Sequence, residues 1–113
     1  MKVNQKYKFY TASELAEALL NGTKKSYDFT FDTKEDIAYG FEPSGWYGVR
    51  LLDLFDANHP DLLAIGYYGG GDSHYINLGS CETQSERLAI IESALEEFFN
   101  ENSATNVCVE ILP

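Results

Sequence analysis

The segment SYDFTFD, residues 26–32, alternates aromatic and polar side chains without a break. Aromatic side chains occupy the odd positions from Tyr27 to Phe31, and polar side chains occupy the even positions from Asp28 to Asp32. Because successive side chains of a β-strand point to opposite faces, this pattern predicts a half-buried strand. Its aromatic face needs a cover, and the rest of the chain must supply it.

Two segments have the periodicity of amphipathic helices. The first begins with a capping box at Thr11 and is stopped by Gly22. The second begins with a similar pattern at Thr83 and extends to about Glu101. Its apolar stripe consists of Leu88, Ile91, Ala94, Leu95, Phe98 and Phe99, with Ile90 at the edge. Both helices therefore have an apolar face with which to cover a sheet.

Further strands are predicted from alternating or apolar runs at residues 5–10, 37–41, 49–55, 62–68, 74–78 and 106–112. Residues 33–36, TKED, are read as the hairpin turn before the strand at 37–41. The resulting order, β-α-β-β-β-β-β-α-β, predicts an α+β fold with one mostly antiparallel sheet of five to six strands. We expect both helices to pack on the face lined by Phe29, Phe31, Tyr39 and Phe41.

The chain has 113 residues, of which 44% are hydrophobic, and this length indicates a single domain spanning residues 1–113. It contains no run of about eighteen apolar residues that would predict a membrane span. The residues after Met1 lack the apolar core of a signal peptide. We therefore expect a cytoplasmic protein whose two cysteines are free thiols.

Acidic residues outnumber basic ones by 18 to 8, which gives a net charge of −10. Residues 1–34 contain six lysines and four acids, whereas residues 35–113 contain two arginines and fourteen acids. Direct binding to nucleic acid is disfavoured because the phosphate backbone would be repelled. The acidity indicates either a basic partner or simple solubility.

The glycine-rich loop GGGDS, residues 69–73, has three candidate roles. A phosphate-binding loop would need a following lysine, but Asp72 stands there instead. Ser73 and His74 are adjacent on a predicted strand, so their side chains point to opposite faces and do not form a nucleophile–base pair. The third role, a hairpin turn, fits best, and it places Tyr68 opposite His74 and Tyr67 opposite Tyr75.

No other spacing indicates catalysis or a metal site. Cys81 precedes a helix start but has Glu82 beside it, and Cys108 alternates with two valines in the last strand. The two histidines, His59 and His74, lie far apart in sequence and lack nearby cysteines. We expect no catalytic residue, no metal and no cofactor. Trp46 is read either as an interface anchor or as a cover for the core.

The second helix has an acidic side that could bind a partner. Its glutamates include like-charged pairs four residues apart, at 92/96 and 97/101, with 82/86 added if the first turn extends back. Each such pair costs about 0.2–0.5 kcal/mol, which a lysine at the second position would reverse. Either this surface is merely solvated, or a basic partner relieves the repulsion.

In size, acidity, expected location and its carboxylate-lined helix, the chain resembles small acidic inhibitors. These are phage anti-restriction and anti-CRISPR proteins, many of them nucleic-acid mimics, and the immunity proteins of nuclease toxins. The resemblance implies a basic nuclease or nucleoprotein as partner, and no residue role is carried over from it. The predicted partner-binding residues are Glu86, Glu92, Glu96, Glu97, Glu101, Trp46 and Asp72.

Two other classes remain. The first is a non-catalytic module that binds a small molecule or a peptide through aromatic surfaces around Trp46, Tyr67 and Tyr75. The second is an enzyme of unrecognised type, which we rank last. A homodimer is left open.

Overall fold

A computed structural model describes residues 7–22, 24–40, 45–52, 61–67 and 73–110. These residues form six strands and three helices. The strands are β1 (Tyr7–Thr11), β2 (Ser26–Thr30), β3 (Tyr47–Leu52), β4 (Leu62–Tyr67), β5 (Ser73–Asn77) and β6 (Asn106–Glu110). The helices are α1 (Ala12–Asn21), α2 (Lys34–Ala38) and α3 (Gln84–Glu101). The predicted α+β class is confirmed.

All six strands belong to one antiparallel sheet with the order β1-β6-β2-β3-β4-β5. β6 lies between β1 and β2 and pairs with both. The first and last strands described are therefore neighbours in the sheet. α1 contacts α3, β1 and β3, and α3 completes the helical layer beside it. α3 packs on the sheet through Phe98 and Phe99, whose rings contact Phe29 of β2.

The core lies between this helical layer and one face of the sheet, called here the front face. Phe29 is fully buried, as the alternation in residues 26–32 predicts, and Phe31 packs against the same cluster. The strands contribute Phe29, Val49, Leu51, Leu63, Ile65, Val107 and Val109 to the buried core. The helices contribute Ala12, Leu15, Ala16, Leu19, Leu20, Ile91, Leu95 and Phe99.

Local signals fix the ends of α1 and the start of α3. The Thr11 hydroxyl accepts from the Glu14 amide at 3.2 Å, and the Glu14 carboxylate accepts from the Thr11 amide at 2.9 Å. These bonds from Thr11, with help from the charge of Lys8, hold the pKa of Glu14 below its usual range. Gly22 ends α1, and a Cβ there would lie 2.5 Å from the Ala18 carbonyl oxygen. The Thr83 hydroxyl caps the start of α3.

The prediction of a strand at residues 37–41 was wrong, because Lys34–Ala38 form the short helix α2. Thr33 and Asp36 make a reciprocal capping box, in which each side chain accepts from the other residue's backbone amide. Ile37 is buried, but Tyr39 is 81% exposed and does not line the front face. Phe41, the other predicted front-face residue, lies outside the described residues.

The opposite, back face of the sheet also has buried positions. Thr30 and Cys108, which pair in register, are both buried there. Phe9 pairs with Cys108 on the same face, and the Lys34 ammonium of α2 lies 5.5 Å from the centroid of the Phe9 ring. α2 therefore lies on the back-face side of β1.

The β4–β5 register also differs from the predicted one. His74 lies opposite Ile65 and Tyr75 opposite Ala64, whereas the hairpin prediction placed His74 opposite Tyr68. The observed register is shifted from the predicted one by an odd number of residues. Such a shift moves every side chain of β5 to the opposite face relative to the side chains of β4. The observed register places Ile76 opposite Leu63 on the front face, where Ile76 packs against the core.

Candidate partner-binding surface on α3

The predicted partner-binding residues do not form one surface. All five glutamates from Glu86 to Glu101 lie on α3, in the helical layer. Trp46 instead stacks on Tyr7, with 6.3 Å between ring centroids, and Tyr7 shares the back face with Phe9 and Cys108. Asp72 lies outside the described residues. The acidic surface and Trp46 are therefore on different sides of the sheet.

At its amino end, α3 carries fewer repulsive contacts than its sequence suggested. The helix begins at Gln84, with Thr83 as its cap, so Glu82 lies before the helix and makes no helical pair with Glu86. The Thr83 hydroxyl accepts from the Glu86 amide at 3.1 Å and donates to the Glu86 carboxylate at 3.2 Å. A carboxylate in the first turn also interacts favourably with the positive end of the helix dipole.

Arg87 is the one basic residue in the sequence of α3, and it is directed inward. Its side chain is only 6% exposed, and it donates to the Gln84 side-chain oxygen at 2.8 Å and to the Cys81 carbonyl oxygen at 3.0 Å. Its buried Nε has no hydrogen-bond partner within the described part of the chain. Both acceptors are neutral, so these hydrogen bonds do not pair Arg87 with a carboxylate. The glutamates of α3 therefore receive no hydrogen bond from a cation of their own helix through these contacts.

The four glutamates of α3 from Glu92 to Glu101 divide between two flanks. The α1-side flank contains Glu92 and Glu96, which lie one turn apart. Glu96 lines a cavity of about 240 Å³ together with Phe99 and the first residues of α1. The described lining residues are Thr11, Ala12, Ser13, Glu96, Phe99, Asn100, Ala104 and Thr105. This flank therefore meets the amino end of a neighbouring helix.

The β5-side flank contains Glu97 and Glu101, which are also one turn apart. They line a groove of about 270 Å³ between α3 and β5, which is an edge strand of the sheet. The described lining residues are Ile65, His74, Tyr75, Ile76, Ala94, Glu97, Phe98 and Glu101. We call this cavity the β5 groove.

An aromatic wall forms one part of the β5 groove. The His74 and Phe98 rings lie 6.3 Å apart between centroids at an interplanar angle of 65°, an edge-to-face arrangement. Tyr75 also lines the groove, although its register position is on the back face, so the groove extends to the outer edge of β5. Tyr75 is 62% exposed. The groove thus combines apolar walls, aromatic rings and two carboxylates.

The two flanks have different electrostatic surroundings. The dipole of α1 is positive at its amino end and favours a nearby carboxylate such as that of Glu96, although the Glu14 carboxylate and the Thr11 hydroxyl already accept from two amides there. Glu97 and Glu101 instead lie in the last turns of α3, where the helix dipole is negative and the last turn contains no basic residue. No lysine or arginine is among the described residues that line the β5 groove.

The residues considered for catalysis lie apart from one another. His74 is on β5 and faces Phe98, Cys81 is buried just before α3, and Cys108 is buried on the back face. Burial, with a smaller contribution from the charge of Asp32, raises the pKa of the Cys108 thiol to about 11. That thiol is therefore protonated, and a poor nucleophile, at neutral pH. Within the described ranges, no three His, Cys, Asp or Glu residues group closely enough to hold a metal ion.

Sequence reasoning did not find the β5 groove. The sequence places Phe98 in the apolar stripe of α3 and His74 beside the glycine loop, but it does not place the two residues together. The register of β5 decides this contact, because it puts His74 beside Ile65 on the front face. The signal that could have found it was the requirement that Ile76 and Ile65 share the buried face.

Comparison with known proteins gives no family for this chain: it matches no protein-family model, no curated protein and no solved structure. Among the helices that the structure describes, none is long and apolar enough to cross a membrane.

Proposed function

We propose that this protein is a small acidic inhibitor that binds a basic, nucleic-acid-handling enzyme or nucleoprotein through the carboxylates of α3. The binding residues are Glu86, Glu92, Glu96, Glu97 and Glu101. The protein acts in the cytoplasm, without catalysis of its own, in the manner of anti-CRISPR, anti-restriction or immunity proteins.

The observation that carries this proposal is the one-sided charge of α3. Its glutamates at 86, 96, 97 and 101 are exposed, while its one base, Arg87, is buried and donates to neutral oxygens. The helix contains two like-charged pairs, 92/96 and 97/101, each of which costs about 0.2–0.5 kcal/mol. A lysine at the second position of each pair would have made that pair stabilising. A basic partner supplies the missing counter-charge.

The described lysines lie elsewhere and have local contacts. Lys8, Lys24 and Lys34 lie over the rings of Tyr10, Tyr27 and Phe9, within 5.1 to 5.5 Å of the centroids. The Lys25 ammonium donates to the Leu19 and Leu20 carbonyl oxygens at the end of α1. These lysines belong to β1, to α2 and to the segment between α1 and β2, so none of them is on α3.

A helix whose exposed charged side chains are all acidic supports association with a basic surface. A cleft that normally holds phosphates has a positive potential, and a rigid row of carboxylates can occupy it. Complementary potentials accelerate encounter and select against like-charged partners, including nucleic acid itself. The proposed inhibitor therefore competes with nucleic acid for the same positive surface.

The test is capture of binding proteins from a bacterial lysate at about 0.1 M and about 1 M salt, between which the Debye length falls from about 10 Å to about 3 Å. The bait is the wild-type protein, and the matched control bait is the Glu92→Lys/Glu96→Lys variant. We expect the wild type to retain a basic nuclease or nucleoprotein at low salt, to release it at high salt, and to inhibit its activity on nucleic acid.

Added duplex DNA should displace the captured protein from the wild-type bait, because both ligands use the same positive surface. Retention of proteins that are not basic, or of a nuclease whose activity is unchanged by the bound chain, would contradict the proposal. A small metabolite that co-purifies with the chain would favour the binding-module class instead.

A further inference from the structure

The β5 groove differs from the rest of the acidic surface because it has walls. Glu97 and Glu101 lie at its edge, and His74, Phe98 and Ile76 lie along it. Its volume of about 270 Å³ is at the lower limit of pockets for small ligands, which begin at about 300 Å³, so it suits one side chain better than a whole metabolite.

We infer that the β5 groove binds an arginine side chain of the protein partner. This inference rests on the proposed function and extends it, since it names the group by which the partner is anchored. The guanidinium lies between the Glu97 and Glu101 carboxylates, and the methylene stem packs along the apolar wall.

Charge selects the class of occupant. Two carboxylates one turn apart, near the negative end of a helix dipole, repel phosphates and carboxylates and attract a cation. The groove-lining residues described include no lysine or arginine that already fills this role. A metal ion is a poorer fit, because no group of three ligating side chains is formed in this part of the described chain.

The aromatic wall selects arginine among the cations. A guanidinium is planar, stacks on aromatic rings and forms paired hydrogen bonds with carboxylates, whereas an ammonium is a compact and strongly hydrated charge. His74 and Phe98 present rings beside the two acids. Arginine is also among the residue types that most often anchor protein interfaces.

A second copy of this chain is a poor occupant. Each copy has a net charge of −10, so self-association brings like charges together. Arg50 is exposed on β3, but it is the chain's one arginine besides the buried Arg87. Self-association through Arg50 is an outcome that the experiment below detects.

The experiment uses two peptides, acetyl-Gly-Arg-Gly-amide and its citrulline counterpart, which has nearly the same shape and no charge. Each is titrated into the ¹⁵N-labelled full-length protein while backbone amide shifts are followed. We expect saturable shifts with the arginine peptide at His74, Ala94, Phe98 and Glu101, and little change at Glu86 or Glu92. The citrulline peptide should bind about tenfold more weakly or not at all, since it lacks the charge.

Two double variants remove equal charge from the two flanks. Glu97→Gln/Glu101→Gln should weaken arginine-peptide binding by about tenfold, and the matched Glu92→Gln/Glu96→Gln should leave it near the wild-type value. Equal weakening by both variants would show that net charge alone attracts the peptide, and it would overturn the proposal that the β5 groove binds arginine. Absence of localised shifts, equal binding of citrulline, or a dimer that Arg50→Gln disrupts would overturn it as well.

Measurements of partner binding distinguish failure of this inference from failure of the proposed function. If Glu92→Lys/Glu96→Lys weakens the captured partner but Glu97→Gln/Glu101→Gln does not, the inference fails while the inhibitor function stands. If no basic partner is captured and the arginine peptide still binds at the groove, the inhibitor function fails while the cation site stands.

Discussion

The two flanks of α3 carry the same pair of residues in different surroundings. Glu96 shares a cavity with the amino end of α1, and Glu92 lies one turn before Glu96 on the same side of α3. Glu97 and Glu101 face β5, where the neighbours are His74, apolar side chains and the negative end of α3 itself. Both are glutamate pairs one turn apart, and only their environment distinguishes them.

This difference gives the two pairs different expected contributions to stability. On the α1-side flank, the positive dipole at the amino end of α1, where Glu14 already lies, compensates part of the repulsion on Glu96. On the β5-side flank, the described groove-lining residues include no lysine or arginine, so the acids there gain most from an external cation. We therefore expect the β5 side to contribute the larger part of the proposed partner binding.

The largest expected effect is on affinity after charge reversal at the β5-side flank. Glu97→Lys/Glu101→Lys should weaken binding of the captured partner by about 100-fold, near 2.7 kcal/mol, because it places two cations where the partner's arginine binds. Association and dissociation rates measured by surface plasmon resonance at several salt concentrations check this. An affinity within a factor of two of the wild type would remove the β5 side from the interface.

Charge reversal at the α1-side flank should have a smaller effect on binding. Glu92→Lys/Glu96→Lys should weaken affinity by about tenfold, mainly through slower association, with a shallower dependence on salt. This is the behaviour of charges that steer encounter without entering a groove. A larger loss here than at Glu97 and Glu101, measured in the same kinetic series, would reverse the assignment of the two flanks.

The same two variants should differ in thermal stability. Glu97→Lys/Glu101→Lys should stabilise the fold by about 0.5–1 kcal/mol, because it adds cations at the negative end of α3 and removes repulsion from the acids nearby. Glu92→Lys/Glu96→Lys should give little or no gain, since the cation introduced at position 96 would face the positive end of α1. Differential scanning calorimetry on both proteins tests this ordering, and equal melting temperatures would argue against it.

The smallest effect on binding is expected from the thiols, which lie on neither flank. Cys81→Ala and Cys108→Ala should retain wild-type affinity. The raised pKa of Cys108, about 11, means that the folded chain keeps this proton to higher pH than the unfolded chain does. Its contribution to stability is therefore present at neutral pH and is lost as the pH rises from about 9 to about 11.

Urea unfolding across that pH window should show a steeper alkaline loss in the wild type than in Cys108→Ala. Tyr27, whose pKa is raised by burial and by Tyr10, contributes in the same direction in both proteins, so the difference isolates the thiol. Identical slopes would show that Cys108 is more accessible than its burial implies.

Local signals predicted much of the fold and misled at two points, the element at residues 34–38 and the β4–β5 register. The capping box at Thr11, the stop at Gly22 and the apolar stripe of α3 all have direct counterparts in the structure. Thr33-Lys-Glu-Asp36 has a capping signature similar to that of Thr11, but the alternation that continues through Ile37 and Tyr39 favoured a strand. The cap prevailed, since α2 buries Ile37 while Tyr39 projects into solvent.

The candidate site was predictable in composition but not in shape. The glutamates of α3 and their lack of basic neighbours follow from the sequence, because helical spacing alone determines which side chains are one turn apart. Their division into two flanks does not follow, since it depends on which elements lie on either side of α3. Trp46 was open between two roles, and its stacking on Tyr7 places it on the back face.

The sequence by itself determined the α+β class, the buried aromatic face of β2, the ends of α1 and the acidity of α3. Each of these depends on periodicity, capping or charge within a few neighbouring residues. Only the tertiary structure decided the β4–β5 register, the meeting of His74 with Phe98 and the contrast between the two flanks. Periodicity specifies which residues share a face, whereas packing between distant segments specifies what that face meets.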